Sequence, residues 1–277
     1  MDGNAASEET FLTRNDGTRL RVKTVGSGPT VVLAHGYLDA LETFDEVVPR
    51  LVRAGRRVVL FDQRAHGQST IGNDGVSSRS MAGDYVAVLE HFDVRDAVLV
   101  GHSMGAFLSV VFSIRHAAVA KERLRGLVLV GGHAGGVGEG SVQNRLQIVM
   151  IERGIAARAM TNKWTARAFV RPLFGEVFEE RHLEHMVARM RPESIPGTIP
   201  ILRAQLRESY YDWLADIPIP AIVICGERDR TCPRFHSERL GAGIRGARNV
   251  WLDGVGHMVP YEAPGVVVDA IEAQLGA

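Results

Sequence analysis

A series of short apolar runs, rich in β-branched residues and alternating with segments of helical spacing, constrains this chain most. They are Thr30–Ala34, Arg57–Phe61, Ala97–Val100, Leu124–Val130, Ala221–Cys225 and Asn249–Leu252. A strand with one wet face alternates polar and apolar residues, whereas a strand covered on both faces reads as a continuous apolar run. Between the runs, Phe44, Val47, Val48 and Leu51, and then Met81, Tyr85, Val88 and Leu89, recur at helical intervals. Met104–His116 and the stretch over Val266, Val267, Ala270, Ile271 and Leu275 continue the pattern. Repeated strand–helix units predict an α/β architecture, a mostly parallel doubly wound sheet with helices on both faces. Ahead of it, Thr10–Arg14 and Arg19–Val25 read as a hairpin turned by Asn15-Asp16-Gly17.

The rhythm breaks after Gly131. A glycine-rich stretch opens a region without strand signals in which Leu146, Val149 and Met150, then Phe174, Val177 and Phe178, then Met186, Val187 and Met190 fall at helical spacing. Pro192, Pro196 and Pro200 divide it. We expect residues 1–132 and 213–277 to form the core and residues 133–212 an inserted helical cap.

The chemistry-bearing residues stand at the ends of the apolar runs. Ser103 lies in Gly101-His102-Ser103-Met104-Gly105, between a strand and a helix. A sharp strand-to-helix turn there would expose the hydroxyl at the carboxyl end of the sheet, with glycines where side chains would strike backbone. Asp229 follows the run ending at Cys225, and His257 follows the run ending at Leu252. Nucleophile, acid and base thus occur in the order Ser…Asp…His. A serine hydroxyl needs a base to accept its proton, and His257 would supply it. Asp229 would fix the imidazole tautomer and stabilise the imidazolium. The developing oxyanion needs fixed donors, expected to be the backbone N–H groups of Met104 and Tyr37.

These motifs resemble the α/β-hydrolase superfamily over nearly the whole chain, in particular its serine esterase- and lipase-like members with a helical cap. The likeness rests on His35-Gly36-Tyr37, on Asp62-Gln63-Arg64-Ala65-His66-Gly67-Gln68-Ser69, and on GHSMG. It continues in Gly226-x-x-Asp229-x-x-x-Pro233 and Gly256-His257-Met258-Val259-Pro260-Tyr261-Glu262. Ala65 stands where such proteins usually have glycine. Dehalogenases and epoxide hydrolases of this fold use an Asp nucleophile, against Ser103 here. Ring-cleavage hydrolases usually have Trp after the histidine, against Met258. Haloperoxidase-like esterases usually have a second glycine after the elbow, against Ala106.

The resemblance implies that the insertion shapes the substrate pocket. It carries Trp164, Phe169, Phe174, Phe178, Tyr210 and Tyr211 with Met150, Met160, Met186 and Met190, which suit an apolar acyl or aryl group. No more than a third of these are expected to touch substrate. Leu38, His102, Trp164 and Met258 are the residues expected to border it. The expected function is hydrolysis of a carboxylic ester of a small to medium apolar substrate through an acyl-enzyme on Ser103. The alternatives are carbon–carbon bond hydrolysis of a vinylogous diketone by the same residues, and a slow-turnover ligand receptor that retains them.

Charge argues against a polyanionic partner, since 32 basic residues balance 32 acidic ones. The expected partner is a small-molecule substrate, not nucleic acid and not a membrane. Nowhere do about 18 apolar residues run together, and the opening MDGNAASEET has no signal-peptide pattern. Cys225 and Cys232 sit in unlike contexts, which fits a reducing compartment, so a cytoplasmic protein is expected. His182 and His185 lack a third ligand, and neither metal nor cofactor is expected. The sequence does not speak to oligomeric state.

Overall fold

The computed structural model describes residues 7–176 and 178–276. A single sheet of eight strands runs through it: β1 (Ser7–Thr13), β2 (Arg19–Val25), β3 (Thr30–Ala34), β4 (Arg57–Phe61), β5 (Ala97–His102), β6 (Leu124–Val130), β7 (Ala221–Gly226) and β8 (Arg248–Leu252). Their order is β1-β2-β4-β3-β5-β6-β7-β8. The β1–β2 and β2–β4 pairs are antiparallel, and every pair from β4–β3 to β7–β8 is parallel. The expected hairpin is β1–β2, and Gly17 in its turn takes φ 86°, which glycine adopts without strain.

The continuous apolar runs are strands covered twice. On β3, Val32 and Ala34 enter one core, Val31 and Leu33 the other; on β5 the split is Ala97 and Leu99 against Val98 and Val100. The first core is completed by Met81, Tyr85 and Leu89 from the Ser78–His91 helix and by Phe107 and Val111 from the Met104–Arg115 helix. Leu51, Val267 and Ile271, from helices on the other face, complete the second. The fold is therefore the doubly wound α/β sheet expected. Ligands of such sheets bind beyond the carboxyl ends of the strands.

Local chemistry fixes several connections. Ser77 starts the Ser78–His91 helix by accepting the Ser80 N–H at 3.0 Å, while the Ser80 hydroxyl accepts the Ser77 N–H. Ala65 takes φ 67°, which explains why a glycine is usual in this turn: the conformation is one that a Cβ disfavours.

Arg64, 1% exposed, ties the hairpin turn to a helix. Its Nε and Nη2 donate to Asp84 at 3.0 and 2.9 Å, and its Nη1 donates to Asp16 at 2.6 Å. Removing the guanidinium would leave Asp16 without it and Asp84 with Arg14 alone, at 3.0 Å, which puts the expected loss at the lower end of the roughly 3–5 kcal/mol that an unpaired buried charge costs. Arg64→Met is expected to lower the urea midpoint by that much stability. A change below about 1 kcal/mol would mean that the bridge contributes no more than a surface pair.

Between β6 and β7 the described residues form helices over Val142–Glu152, Ile155–Ala159, Lys163–Val170, Glu180–Arg189 and Ile195–Arg207. Two small cores hold them together and dock them. One joins Ile148, Ile151, Met160 and Leu202 to Cys232. The other joins Val170, Leu183 and Met186 to Met258 and Tyr261.

Three details differ from the sequence reading. Leu146 and Val149 are 61% and 50% exposed, so the Val142–Glu152 helix turns Asn144, Ile148 and Ile151 inward instead. The stretch at Phe174 and Phe178 is not helical; Val177 lies outside the described residues. Gly175 there donates to Glu262 Oε2 at 2.7 Å, and the Glu176 N–H donates to the Gly254 carbonyl at 2.7 Å, so contact with the His257 loop overrides helical spacing. Finally, Pro196 opens the Ile195–Arg207 helix and Pro200 lies inside it, so these prolines do not divide it.

Candidate active site

Ser103 stands at the turn from β5 into the Met104–Arg115 helix, with φ 54° and ψ −115°, far from any relaxed conformation of a residue bearing a Cβ. The turn is held by its N–H donating to the Val130 carbonyl at 2.9 Å and by its carbonyl accepting from the Ala106 and Phe107 N–H groups. The flanking glycines are required by close approach. A Cβ on Gly101 would lie 2.4 Å from the Gly105 carbonyl oxygen, and one on Gly105 only 2.1 Å from that of Ala34.

Asp229 and His257 arrive from the next strand ends. Asp229 lies just beyond β7, and its Oδ1 accepts the N–H groups of Thr231 and Cys232, both at 2.8 Å. Its Oδ2 lies 2.7 Å from His257 Nδ1. Both side chains are almost wholly buried. A neutral His257 that donates from Nδ1 presents a lone pair on Nε2. The His257 N–H donates to the Leu173 carbonyl at 2.7 Å, and the Glu262 carboxylate accepts the Gly256 N–H at 3.0 Å. Ring position is thereby fixed from both sides of the loop.

His102 supports the same loop from the turn that carries Ser103. Its Nε2 donates to the His257 carbonyl at 2.9 Å, with the two rings 4.9 Å apart. Burial, reinforced by the neighbouring His257, pushes the His102 imidazole down to about 4, so it is neutral at pH 7.

Ser103 and His257 line one cavity of about 90 Å³ with Gly36, Tyr37, Leu38, His102 and Met258. The Ser103 hydroxyl has no hydrogen-bond partner among the described residues, so it is unengaged. Such contacts often tighten only when substrate is bound. Met104 is the first residue of its helix, and its N–H has no partner within it. Neither it nor the Tyr37 N–H donates to another group among the described residues. The Tyr37 hydroxyl bonds Thr198 at 2.8 Å, anchoring that loop to the Ile195–Arg207 helix.

Of the residues expected to border substrate, Leu38, His102 and Met258 face this cavity and Trp164 does not. Trp164 is 78% exposed on a surface hollow beside Arg167 and Leu183. Its helix buries Ala166 and Val170, four residues apart, and Trp164 projects from another side. Among the aromatic and methionine residues of the region, Phe169, Met186 and Met190 reach the cavity. Tyr210 instead packs against Phe107 in the main core, and Phe174 in the small core around Met258.

The pattern of the alpha/beta hydrolase family matches residues 31–270. The chain belongs to this family. As an alpha/beta hydrolase it is similar to a non-heme haloperoxidase from Rhodococcus erythropolis, 38% identical over 120 residues, which are 43% of this chain and 44% of that one. Over a longer span it is 28% identical to a 2-hydroxy-6-oxononadienedioate/2-hydroxy-6-oxononatrienedioate hydrolase from Cupriavidus pinatubonensis, covering 93% of this chain and 91% of the other. An esterase from Exiguobacterium antarcticum has the same fold, with a TM-score of 0.83 at 22% identity over 98% of this chain and all of that one.

Sequence reasoning did not single out Asp39 or Asn144, which also line the cavity. Asn144 lines the cavity and donates to the carbonyls of Val137 and Thr231, linking the inserted helices to the Asp229 loop. No spacing marks it. Asp39, two residues past Tyr37, could have been found by its place beside the expected oxyanion loop.

Proposed function

We propose that this alpha/beta hydrolase is a serine hydrolase that cleaves a carboxylic ester of a small to medium apolar acyl group, with residues 133–212 as the cap over its site. The observation that carries the reading is the 2.7 Å contact of Asp229 with His257, which lines the same cavity as Ser103.

The mechanism follows from those positions. His257 Nε2 takes the Ser103 proton as Oγ bonds the carbonyl carbon, and the carbonyl electron pair moves to oxygen. The Met104 and Tyr37 N–H groups receive that oxyanion, and each such donor is worth about 3 kcal/mol of transition-state stabilisation. Collapse breaks the bond to the leaving oxygen, which takes the proton from His257. Water then repeats the sequence on the acyl-enzyme. Val137, Ile148, Ile151, Phe169 and Leu202 give the cavity apolar lining for the acyl chain.

Likeness to the Cupriavidus protein along almost the whole chain favours a second reading, hydrolysis of a carbon–carbon bond in a vinylogous diketone. Met258, in place of the tryptophan usual in that group, weighs against it. Both are tested by assaying p-nitrophenyl esters from acetate to octanoate beside a ring-fission dienoate. We expect turnover of the esters with an optimum at short to medium chains. Turnover of the dienoate alone would reject the ester reading and leave the second.

A further inference from the structure

The helix Val142–Glu152 gives the cavity of Ser103 polar lining as well as apolar. Asn144, Ile148 and Ile151 are buried on its inward face, Gln147 is half-buried beside them, and all four line the cavity. The Asn144 amide has one orientation, because Nδ2 donates to two carbonyls, that of Val137 at 2.6 Å and that of Thr231 at 2.8 Å. Oδ1 is therefore its free end. Asn144 is only 5% exposed, yet its Oδ1 has no partner among the described residues and is not sealed from solvent. Gln147 repeats the arrangement: Nε2 donates to the Phe169 carbonyl at 3.1 Å, and Oε1 is free and open. The Thr231 hydroxyl, on the same cavity, is free and open as well.

The other polar side chains of the lining, outside the reacting groups, are engaged or closed. The Tyr37 hydroxyl bonds Thr198, and the Gln205 amide bonds His133 at 3.2 Å and the Ile201 carbonyl at 3.4 Å. Asp39 Oδ1 accepts the Ala40 N–H, while Asp39 Oδ2 and His102 Nδ1 are sealed from solvent. What stays open to a ligand is two amide oxygens, which only accept, and a hydroxyl, which does either. A carboxylate would oppose both oxygens. An ammonium group would enter an apolar cavity with no open carboxylate oxygen to meet it among the described residues. A plain alkyl chain would cover acceptors and leave them unpaired. A hydroxyl donates to one oxygen, accepts from Thr231, and adds a single heavy atom in a cavity of about 90 Å³. We propose that the acyl chain of the substrate bears a hydroxyl that donates to Asn144 Oδ1 and accepts from the Thr231 hydroxyl, so that the site selects esters of hydroxy acids. Gln147 is less deeply buried and can keep a water on its oxygen. The inference rests on the ester reading above and names the polar part of its substrate.

Three ethyl esters of nearly equal shape isolate the donated proton: 3-hydroxybutyrate, as each enantiomer, 3-oxobutyrate and 3-methylbutyrate. Their binding to Ser103→Ala protein, followed by NMR titration, does not depend on turnover. Sites built to hydrogen-bond a hydroxyl reject analogues that lack it. We expect one enantiomer of the hydroxy ester to bind about tenfold more tightly than the oxo and methyl esters, the scale of leaving a largely buried acceptor unpaired. Adding Asn144→Ala should bring the three within about threefold. A purely structural role for Asn144 would weaken all three alike and leave the ratio unchanged. Should that variant not fold, Thr231→Val keeps the shape of the site and should narrow the preference by about threefold. Equal binding of the three esters, tightest binding of the oxo or methyl ester, no detectable binding of the hydroxy ester, or a preference that survives both substitutions would overturn the proposal. Wild-type protein that turns over none of the three counts against the ester reading alone.

Discussion

Ser103→Gly is expected to abolish ester turnover while raising the melting temperature. Loss of the nucleophile from a Ser-His-Asp site lowers turnover by about a million-fold. The gain in stability comes from the backbone. Ser103 is held at φ 54° and ψ −115°, a strained conformation that costs about 1–3 kcal/mol for a residue with a Cβ and little for glycine. The greater freedom of glycine in the unfolded chain offsets about 0.5–1 kcal/mol of this. Each remaining kcal/mol corresponds to roughly 2–4 °C in a domain of this size. Calorimetric melting of wild type and variant, beside a p-nitrophenyl ester assay, reads both effects. A variant that melts below wild type would show that the serine side chain contributes more contact than its backbone stores strain. Turnover within tenfold of wild type would remove Ser103 from the chemistry.

Acid should destabilise the protein well above the range in which carboxylates titrate. Burial pushes His66 and His133 down to about 3 and His102 and His236 down to about 4, from an ordinary value of 6.5. All four are buried in the fold. A histidine whose folded value is depressed binds its proton only in the unfolded chain, so its stability contribution is intact above about pH 6.5 and is lost as pH falls toward the folded value. By pH 5 each costs roughly 1–2 kcal/mol, and the four together several kcal/mol. The buried carboxyls of Asp62, Asp84 and Glu262, which burial pushes upward, take up protons preferentially in the fold and offset part of this. Urea midpoints at pH 7.5 and pH 5.0 should differ by a large fraction of the total stability. Equal midpoints would mean that these histidines accept protons without leaving the fold.

The strands were legible because burial on both faces writes itself into composition: β3, β4 and β6 carry the same bounds in sequence and structure. The places of Ser103, Asp229 and His257 beyond strand ends were legible for a related reason, since each follows an apolar run. What could not be read depends on contacts across the chain. Leu146 and Val149 have helical spacing, but spacing does not say that Asn144 will turn inward to reach Val137 and Thr231. Trp164 is apolar and large, yet its helix presents Ala166 and Val170 to the core.

The order of the strands has a consequence for when chemistry becomes possible. From β5 outward the sheet grows in chain order, with Ser103 at the end of β5, Asp229 after β7 and His257 after β8. A chain emerging from the ribosome could therefore fold the serine turn, with the β6 carbonyl that holds it, long before the strand that delivers the histidine exists. Throughout that interval its hydroxyl would remain an ordinary alcohol. With His257 as the proposed base, synthesis itself would act as a safety catch, released only when the last strand docks.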